Sequence, residues 1–243
     1  MIKFFRQTRQ QLMEKKKTVQ YFKYAIGEII LVVIGILIAL SLNTWNQNRV
    51  NKIVEQELLN NLLSDVEIDI QNLQYQDSLI SLAFSSKMNL LRFINGVALP
   101  SDSVFYYLSN TGPANSFTPN TITYDEMRNS NGFQVISSKE IRREIAILYK
   151  QYEIVKAREA RYLEARNRIH SIRIEDFSTG SLKMIGKGEI RDPTQVLKQI
   201  KTNQRFINAL ESNFVSNLNK TYKETLTKAI HFKDKLSEYI NHD

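Results

Sequence analysis

Hydrophobic and polar positions divide the chain into one uninterrupted apolar run near its start and a series of amphipathic stretches after it. Residues 25–42 read AIGEIILVVIGILIALSL, with Glu28 as the single charge. A run of this length is enough for a membrane-spanning helix, and Tyr24 and Trp45 at its two ends suit the interfacial aromatic belts of a bilayer. The pattern predicts a transmembrane helix over residues 25–45.

A cleaved signal peptide is the alternative for this run, since it also combines a basic start, an apolar stretch and small residues before a cut site. Residues 39–41, Ala-Leu-Ser, supply such small residues. The apolar part of a signal peptide covers about 7–15 residues, however, and the run here is longer and follows a long polar arm. We therefore predict a retained anchor.

Beyond Trp45 the apolar positions repeat with heptad spacing. Steps of four and three residues from Leu59 to Ile94 meet apolar side chains at nine of eleven positions. This spacing predicts one long helix that packs against a partner. Asp77 and Lys87 interrupt the seam. Buried polar positions of this kind can fix the register of packed helices, but we expect both residues to face outward where the seam drifts.

Capping signals predict where the later helices begin. Thr123 with Glu126, and Ser137 with Glu140, have the spacing of capping boxes, and Asp192-Pro193 places an N-cap acid before a proline in the first turn. Gly96 is expected to end the first helix in a left-handed turn. The predicted helices beyond the membrane run cover residues 46–95, 101–110, 123–130, 137–177 and 193–240, with a glycine-rich loop at 178–191.

These elements predict an all-α protein in which an N-terminal transmembrane helix continues into an elongated antiparallel helical bundle of three long and two short helices. The second long helix would run back toward the membrane and the third away from it. The predicted domains are a basic cytoplasmic arm at residues 1–24, the transmembrane helix at 25–45 and an extracytoplasmic bundle at 46–243. A bundle of only three long helices would gain from a second copy that covers its seams.

The net charge of +8 suggests nucleic-acid binding at first, but its distribution indicates membrane orientation instead. Residues 1–24 hold seven basic residues and one acid, whereas residues 43–243 hold 26 basic and 23 acidic residues. Basic flanks stay in the cytoplasm, so the C-terminal part is expected to be exported, away from nucleic acid. The arm is predicted to contact anionic lipid head groups through Lys3, Arg6, Arg9, Lys15, Lys16, Lys17 and Lys23.

One face of the apolar run carries small and polar side chains. Glu28, Gly35, Ala39 and Asn43 are separated by seven, four and four residues and therefore share a helical face. Gly35-x-x-x-Ala39 is a small-xxx-small pair of the kind that lets membrane helices approach closely. These four residues are the predicted membrane helix-packing site. The alternative for Glu28, equally weighted, is that it snorkels to the interface near Lys23.

Residues with the potential for catalysis or metal binding form no recognisable motif. His231 and Asp234 are spaced to share a metal, but two ligands do not make a site. Asp65, Glu67 and Asp69 are expected to alternate around a helix without converging. The chain has no cysteine, which removes disulfides and thiol catalysis. No enzyme activity, catalytic residue, metal site or cofactor is predicted.

The run YAIGEIILVVIGILIAL at residues 24–40, with Asn43 and Trp45-Asn46 after it, resembles a large bacterial family of uncharacterised single-pass membrane proteins, of the domain-of-unknown-function kind. The opening MIKFFR and the stretch TYDE at residues 123–126, followed by Asn131-Gly132, resemble the same family. The resemblance implies an inner-membrane anchor with a helical extracytoplasmic part. It brings no known activity and no catalytic residues.

Two functions of different classes fit these features. The first, which we favour, is a non-enzymatic membrane-anchored scaffold or protein-interaction module. The second is an extracytoplasmic small-ligand sensor that acts through a partner protein. The expected partners are the lipid bilayer and either another protein or further copies of the chain, and the expected location is the bacterial inner (plasma) membrane, with a cytoplasmic N-terminus and a periplasmic C-terminal domain.

Overall fold

The computed structural model describes residues 18–112, 116–177 and 193–242. Helices account for 88% of these residues, and no strand occurs among them, so the all-α prediction is confirmed for this part of the chain. The predicted loop at 178–191 lies outside the described residues. The helices are α1 (Thr18–Ile94), α2 (Ser101–Ser109), α3 (Ile122–Asn129), α4 (Gly132–Val135), α5 (Lys139–Asp176), α6 (Pro193–Thr202), α7 (Gln204–Glu211) and α8 (Val215–His242).

The chain divides into two compact units, one ending at Glu55 and one beginning at Gln56. In the first unit the described chain is part of α1, and the large apolar side chains from Phe22 to Trp45 are exposed. This region is long and apolar enough to cross a membrane, judged by length and composition.

The second unit is a helical bundle whose core contains the predicted seam of α1. Leu59, Val66, Leu73 and Ile80 recur every seven residues, and each is no more than 2% exposed. This spacing keeps them on the side of α1 that contacts the bundle. The expectation that Lys87 faces outward is wrong. Its side chain is buried, and its ammonium group donates to the carbonyl oxygen of Glu211 at 2.8 Å.

The predicted antiparallel order of the long helices is also wrong, because α5 runs parallel to α1. Tyr152 of α5 lies beside Asp69 of α1, and further along both helices Ile172 joins Phe93 in a second core cluster. The cause is the path of residues 95–112 and 116–138: α2 packs in the second core cluster beside Phe93, whereas Asn120 and Thr123 lie beside Asp69 and Asp65, nearer the start of the bundle, before α5 begins. Of the three long helices, α8 is the one that runs antiparallel to α1 and α5.

Contacts between α5 and α8 fix the direction of α8. Lys235 pairs with Glu140 at 2.5 Å, and further along α5 the Gln151 amide donates to Thr225 Oγ1 at 3.0 Å. Thus α8 runs back toward the beginning of α5. The C-terminal part of α8 therefore lies at the end of the bundle where α5 starts.

The predicted last helix, residues 193–240, consists of three helices. Asn203 ends α6 and caps α7, because its side-chain oxygen accepts the N–H of Phe206 at 3.0 Å. Residues 212–214 then separate α7 from α8. The bundle therefore has more short helices than the two predicted, and α4 is another that the sequence pattern did not indicate.

Two predicted caps differ from the structure, and one is confirmed. Ser138, not Ser137, caps α5 by accepting the N–H of Ile141 at 3.2 Å. The Thr123 side chain does not cap α3, which begins at Ile122. Gly96 has the predicted left-handed conformation, with φ of 96°.

Candidate functional site

The predicted membrane helix-packing residues all lie on α1 in the first unit. Gly35, Ala39 and Asn43 are exposed, and Glu28 is partly exposed. Nothing lies within 4 Å of the position that a Cβ atom would occupy on Gly35. Among the residues that the structure describes, therefore, no neighbour requires glycine at that position.

The predicted lipid-contact residues lie at the start of the chain. Lys23 is exposed on α1. The other six, Lys3, Arg6, Arg9, Lys15, Lys16 and Lys17, lie outside the described residues.

A polar arrangement in the second unit joins three buried carboxylates to the segment 117–123. Glu159 accepts the backbone N–H of Phe117 at 2.7 Å. Asp69 accepts the N–H of Asn120 at 2.7 Å, and Asp65 accepts the N–H of Thr123 at 3.1 Å. We call these three carboxylates and the N–H groups they bind the carboxylate clasp.

Asp65 replaces the cap that the Thr123 side chain was predicted to provide. It binds an N–H in the first turn of α3, where helical donors have no partner within the helix. Its second oxygen accepts from the side-chain amide of Asn120 at 2.7 Å. A carboxylate from another helix is thus the N-terminal cap of α3, and its charge also suits the positive end of the helix dipole.

Asp69 is the most deeply buried member of the clasp, with no exposed surface. Burial raises its pKa to about 6, although the N–H of Asn120 acts in the opposite direction. Its second oxygen and the nearby Tyr152 hydroxyl each lack a hydrogen bond of ordinary geometry. Burial likewise raises the pKa of Tyr152, so this hydroxyl stays protonated.

Glu159 connects the same segment to α8. Besides the N–H of Phe117, it accepts a hydrogen bond from the hydroxyl of Tyr222. Burial raises the pKa of Glu159, while these two donors act to lower it. The carboxyl group therefore joins α5, α8 and the segment before α3.

Aromatic rings cover the clasp. Tyr124 of α3 stacks on Tyr149 of α5, with ring centroids 3.8 Å apart, and the Tyr149 hydroxyl donates to the carbonyl of Asn120 at 3.1 Å. Phe117 meets Tyr152 edge to face at 5.2 Å. These contacts exclude water, which strengthens the hydrogen bonds beneath them.

Sequence reasoning did not identify the clasp, and the expectation for its acids was partly wrong. Asp65 and Asp69 converge on Asn120, whereas Glu67 is exposed. The available signal was their spacing, because two acids four residues apart and next to core residues share the buried face of a helix.

The predicted pair of possible metal ligands does not develop into a larger site. His231 and Asp234 lie on α8, where His231 is exposed. In residues 18–112, 116–177 and 193–242, no group of three or more His, Cys, Asp or Glu side chains is arranged to hold a metal ion. The clasp itself binds backbone and side-chain groups of this chain.

Comparison with protein-family models gives a match over residues 28–203, to a model described as a family of unknown function (DUF6090). The matched range includes the predicted packing face, α3 and the whole clasp. It begins after the opening MIKFFR. No curated protein matches the chain, and no solved structure does.

Proposed function

Because the chain belongs to this family of unknown function, which does not supply an activity, we propose from its structure that it is a non-enzymatic, membrane-anchored scaffold that holds a protein partner or further copies of itself. The observation that carries the proposal is one continuous helix, α1, whose first part is apolar and exposed and whose later part belongs to a packed bundle. Such a helix joins an anchor directly to a binding module.

The exposed apolar part of α1 supports the anchor. Side chains such as Ile29, Leu31 and Leu42 are each more than 60% exposed, at a large cost in water. A bilayer removes that cost, and an α-helix satisfies its own backbone hydrogen bonds there. The basic arm before it favours a cytoplasmic N-terminus, which would place the bundle in the periplasm of a bacterium.

The carboxylate clasp supports a structural role for the buried acids of the bundle. Asp65, Asp69 and Glu159 each accept a backbone N–H, and Asp65 and Glu159 also accept a side-chain donor of the same chain. A general acid or base must instead reach a substrate directly or through water. The acids thus hold the segment 117–123 in place, as expected of a scaffold with a fixed surface.

Topology is tested by maleimide labelling, for which the cysteine-free chain is well suited. A membrane-impermeant maleimide is applied to intact cells that express Gln71→Cys, on the exposed side of α1, or Gln10→Cys, in the basic arm. The proposal predicts labelling of Gln71→Cys in intact cells and of Gln10→Cys only after lysis. The reverse pattern would contradict the proposed orientation.

Partner binding is tested by cross-linking in cells, followed by affinity purification and mass spectrometry. The proposal predicts one protein, or a second copy, recovered in a fixed ratio to the chain. A chain that is recovered alone with a tightly held small molecule would favour the sensor instead.

A further inference from the structure

A shallow groove runs along α5 on the side where α7 ends and α8 begins. It consists of three adjoining hollows of about 270, 290 and 330 Å³. The first two share Arg168 and Ser212 as lining residues, and the last two share Arg161 and Phe214. We call this continuous surface the arginine groove.

Small side chains create the space in the middle of the arginine groove. Ala165 of α5 faces Ala209 and Ser212 across it. Phe214, in the turn between α7 and α8, also lines the groove and keeps 48% of its surface exposed. An exposed aromatic ring beside a small-residue floor is typical of the anchor positions of protein interfaces.

The charge of the arginine groove is positive. Its lining includes five cations and three carboxylates, and each carboxylate lies within 4.0 Å of one of the cations. These pairs are Arg168–Glu164 at 4.0 Å, Arg205–Glu175 at 3.1 Å and Lys220–Glu224 at 3.8 Å. The two remaining cations, Arg158 and Arg161, have no carboxylate of the described residues within that distance. Arg158 donates instead to Thr221 Oγ1.

We propose that the arginine groove binds an acidic amphipathic helix of a partner protein. The inference rests on the proposed scaffold function and names the surface through which that function is exercised. The small floor and Phe214 receive the apolar side of the helix, while Arg158 and Arg161 pair with its carboxylates through the forked geometry of the guanidinium group.

The length of the groove fits this occupant. From Arg158 to Glu175 the axis of α5 rises about 25 Å at 1.5 Å per residue, which is the length of a helix of about 17 residues. A helix seated between α5 and α8 would bury its apolar face in the manner of other helix-in-groove complexes.

The test places a photo-cross-linking amino acid at Ser212 of the full chain in living cells. Mass spectrometry then identifies the cross-linked segment of the partner. The expected adduct is with a protein segment that is rich in Asp and Glu and has helical apolar periodicity. Arg161→Glu should lower the adduct yield roughly tenfold, equivalent to about 1.4 kcal/mol, because it places a like charge opposite the carboxylates of the partner.

Lys156→Glu is the matched control, because Lys156 is an exposed cation of α5 outside the groove lining. It should leave the adduct yield unchanged. Phe214→Ala should lower the yield as well, whereas Tyr106→Ala, at another exposed aromatic ring, should not. Adducts with lipid, with a second copy or with a segment lacking excess acid would overturn the proposal, as would an adduct insensitive to Arg161→Glu.

A second cross-linking position separates this proposal from the scaffold function. Gln71 is exposed on α1 and does not line the groove. Protein adducts from Gln71 with none from Ser212 would leave the scaffold function standing and overturn the arginine groove. Adducts from neither position would contradict both.

Discussion

The Asp65 carboxylate accepts a hydrogen bond from the side-chain amide of Asn120 at 2.7 Å, across 55 positions of sequence. This contact attaches the segment before α3 to α1. Asp65 also accepts the N–H of Thr123. One carboxylate therefore positions both Asn120, which precedes α3, and the first helical turn of α3.

Replacing Asp65 should therefore destabilise the bundle. Asp65→Ala leaves the Thr123 N–H and the Asn120 amide without their acceptor in a buried site, which should lower the free energy of unfolding by about 2–4 kcal/mol. Thermal unfolding of the full chain in mild detergent, followed by circular dichroism, measures the change. Glu67→Ala is the control, because Glu67 is exposed two residues away, and its effect should stay within about 0.5 kcal/mol. Equal losses in the two variants would show that the clasp does not hold the bundle together.

Asp69 should give the bundle a pH-dependent stability. Its pKa in the folded chain is about 6, above the ordinary value near 4, so the folded state binds the proton more tightly than the unfolded chain does. The contribution of Asp69 to stability should therefore be lost as the pH rises from about 4 to 6, and it stays lost at higher pH.

Asp69→Asn cannot ionise and should lack this loss. Relative to wild type, its free energy of unfolding should rise by more than about 1 kcal/mol between pH 4 and pH 7. Glu159, whose pKa is also raised, contributes equally to both proteins and cancels in the comparison. If the free energies of unfolding of the two proteins changed with pH in parallel, the raised pKa of Asp69 would be refuted.

Gly112 should tolerate no side chain while Tyr162 is present. A Cβ atom at residue 112 would lie 2.9 Å from Tyr162 Cζ and closer still to its hydroxyl oxygen. Gly112→Ala should lower the free energy of unfolding by about 1–3 kcal/mol through this overlap, and Tyr162→Phe, which removes the hydroxyl, should recover part of the loss. Gly27→Ala, where nothing lies within 4 Å, should have no such effect. Strict additivity of the two changes at 112 and 162 would argue against the contact.

The predicted packing face of α1 should control association in the membrane. Gly35→Leu places a large side chain where closely packed membrane helices need a small one. In the cross-linking experiment in cells, the fraction of the chain that is recovered in a cross-linked complex should fall about fivefold, equivalent to roughly 1 kcal/mol. Leu37→Ile, on the opposite side of the helix, should leave that fraction unchanged. Glu28→Gln separates the two interpretations of Glu28, because packing through its face predicts a loss and snorkelling predicts none.

Periodicity predicted the long helices α1 and α5, while the division of the last helix and the arrangement of all of them depended on contacts that periodicity does not encode. Leu59, Val66 and Leu73 lie in the core as their spacing indicates, because one apolar stripe is enough to place a helix against a bundle. The direction of α5 depends on the position of the segment 116–138 before it, and that position depends on hydrogen bonds such as the one from the Asn120 N–H to Asp69.

Polar residues account for the remaining differences between sequence and structure. Lys87 was expected to face outward, and Asp65 and Asp69 were expected not to converge, but each has a distant polar partner that permits burial. Asn203 lies inside the predicted helix 193–240, yet its side chain caps a new helix there. The partners of Lys87, Asp65 and Asp69 lie more than 50 residues away along the chain, and the Asn203 cap depends on the local backbone. The spacing of apolar residues indicates neither kind of contact.

Native mass spectrometry of the full chain, released from the membrane in mild detergent, tests the scaffold proposal most directly. The chain alone has a mass of 28.3 kDa. A scaffold should appear as a complex heavier by a whole protein, either a partner or further copies of the chain. A 28.3 kDa monomer, bare or carrying only a small molecule, would contradict it.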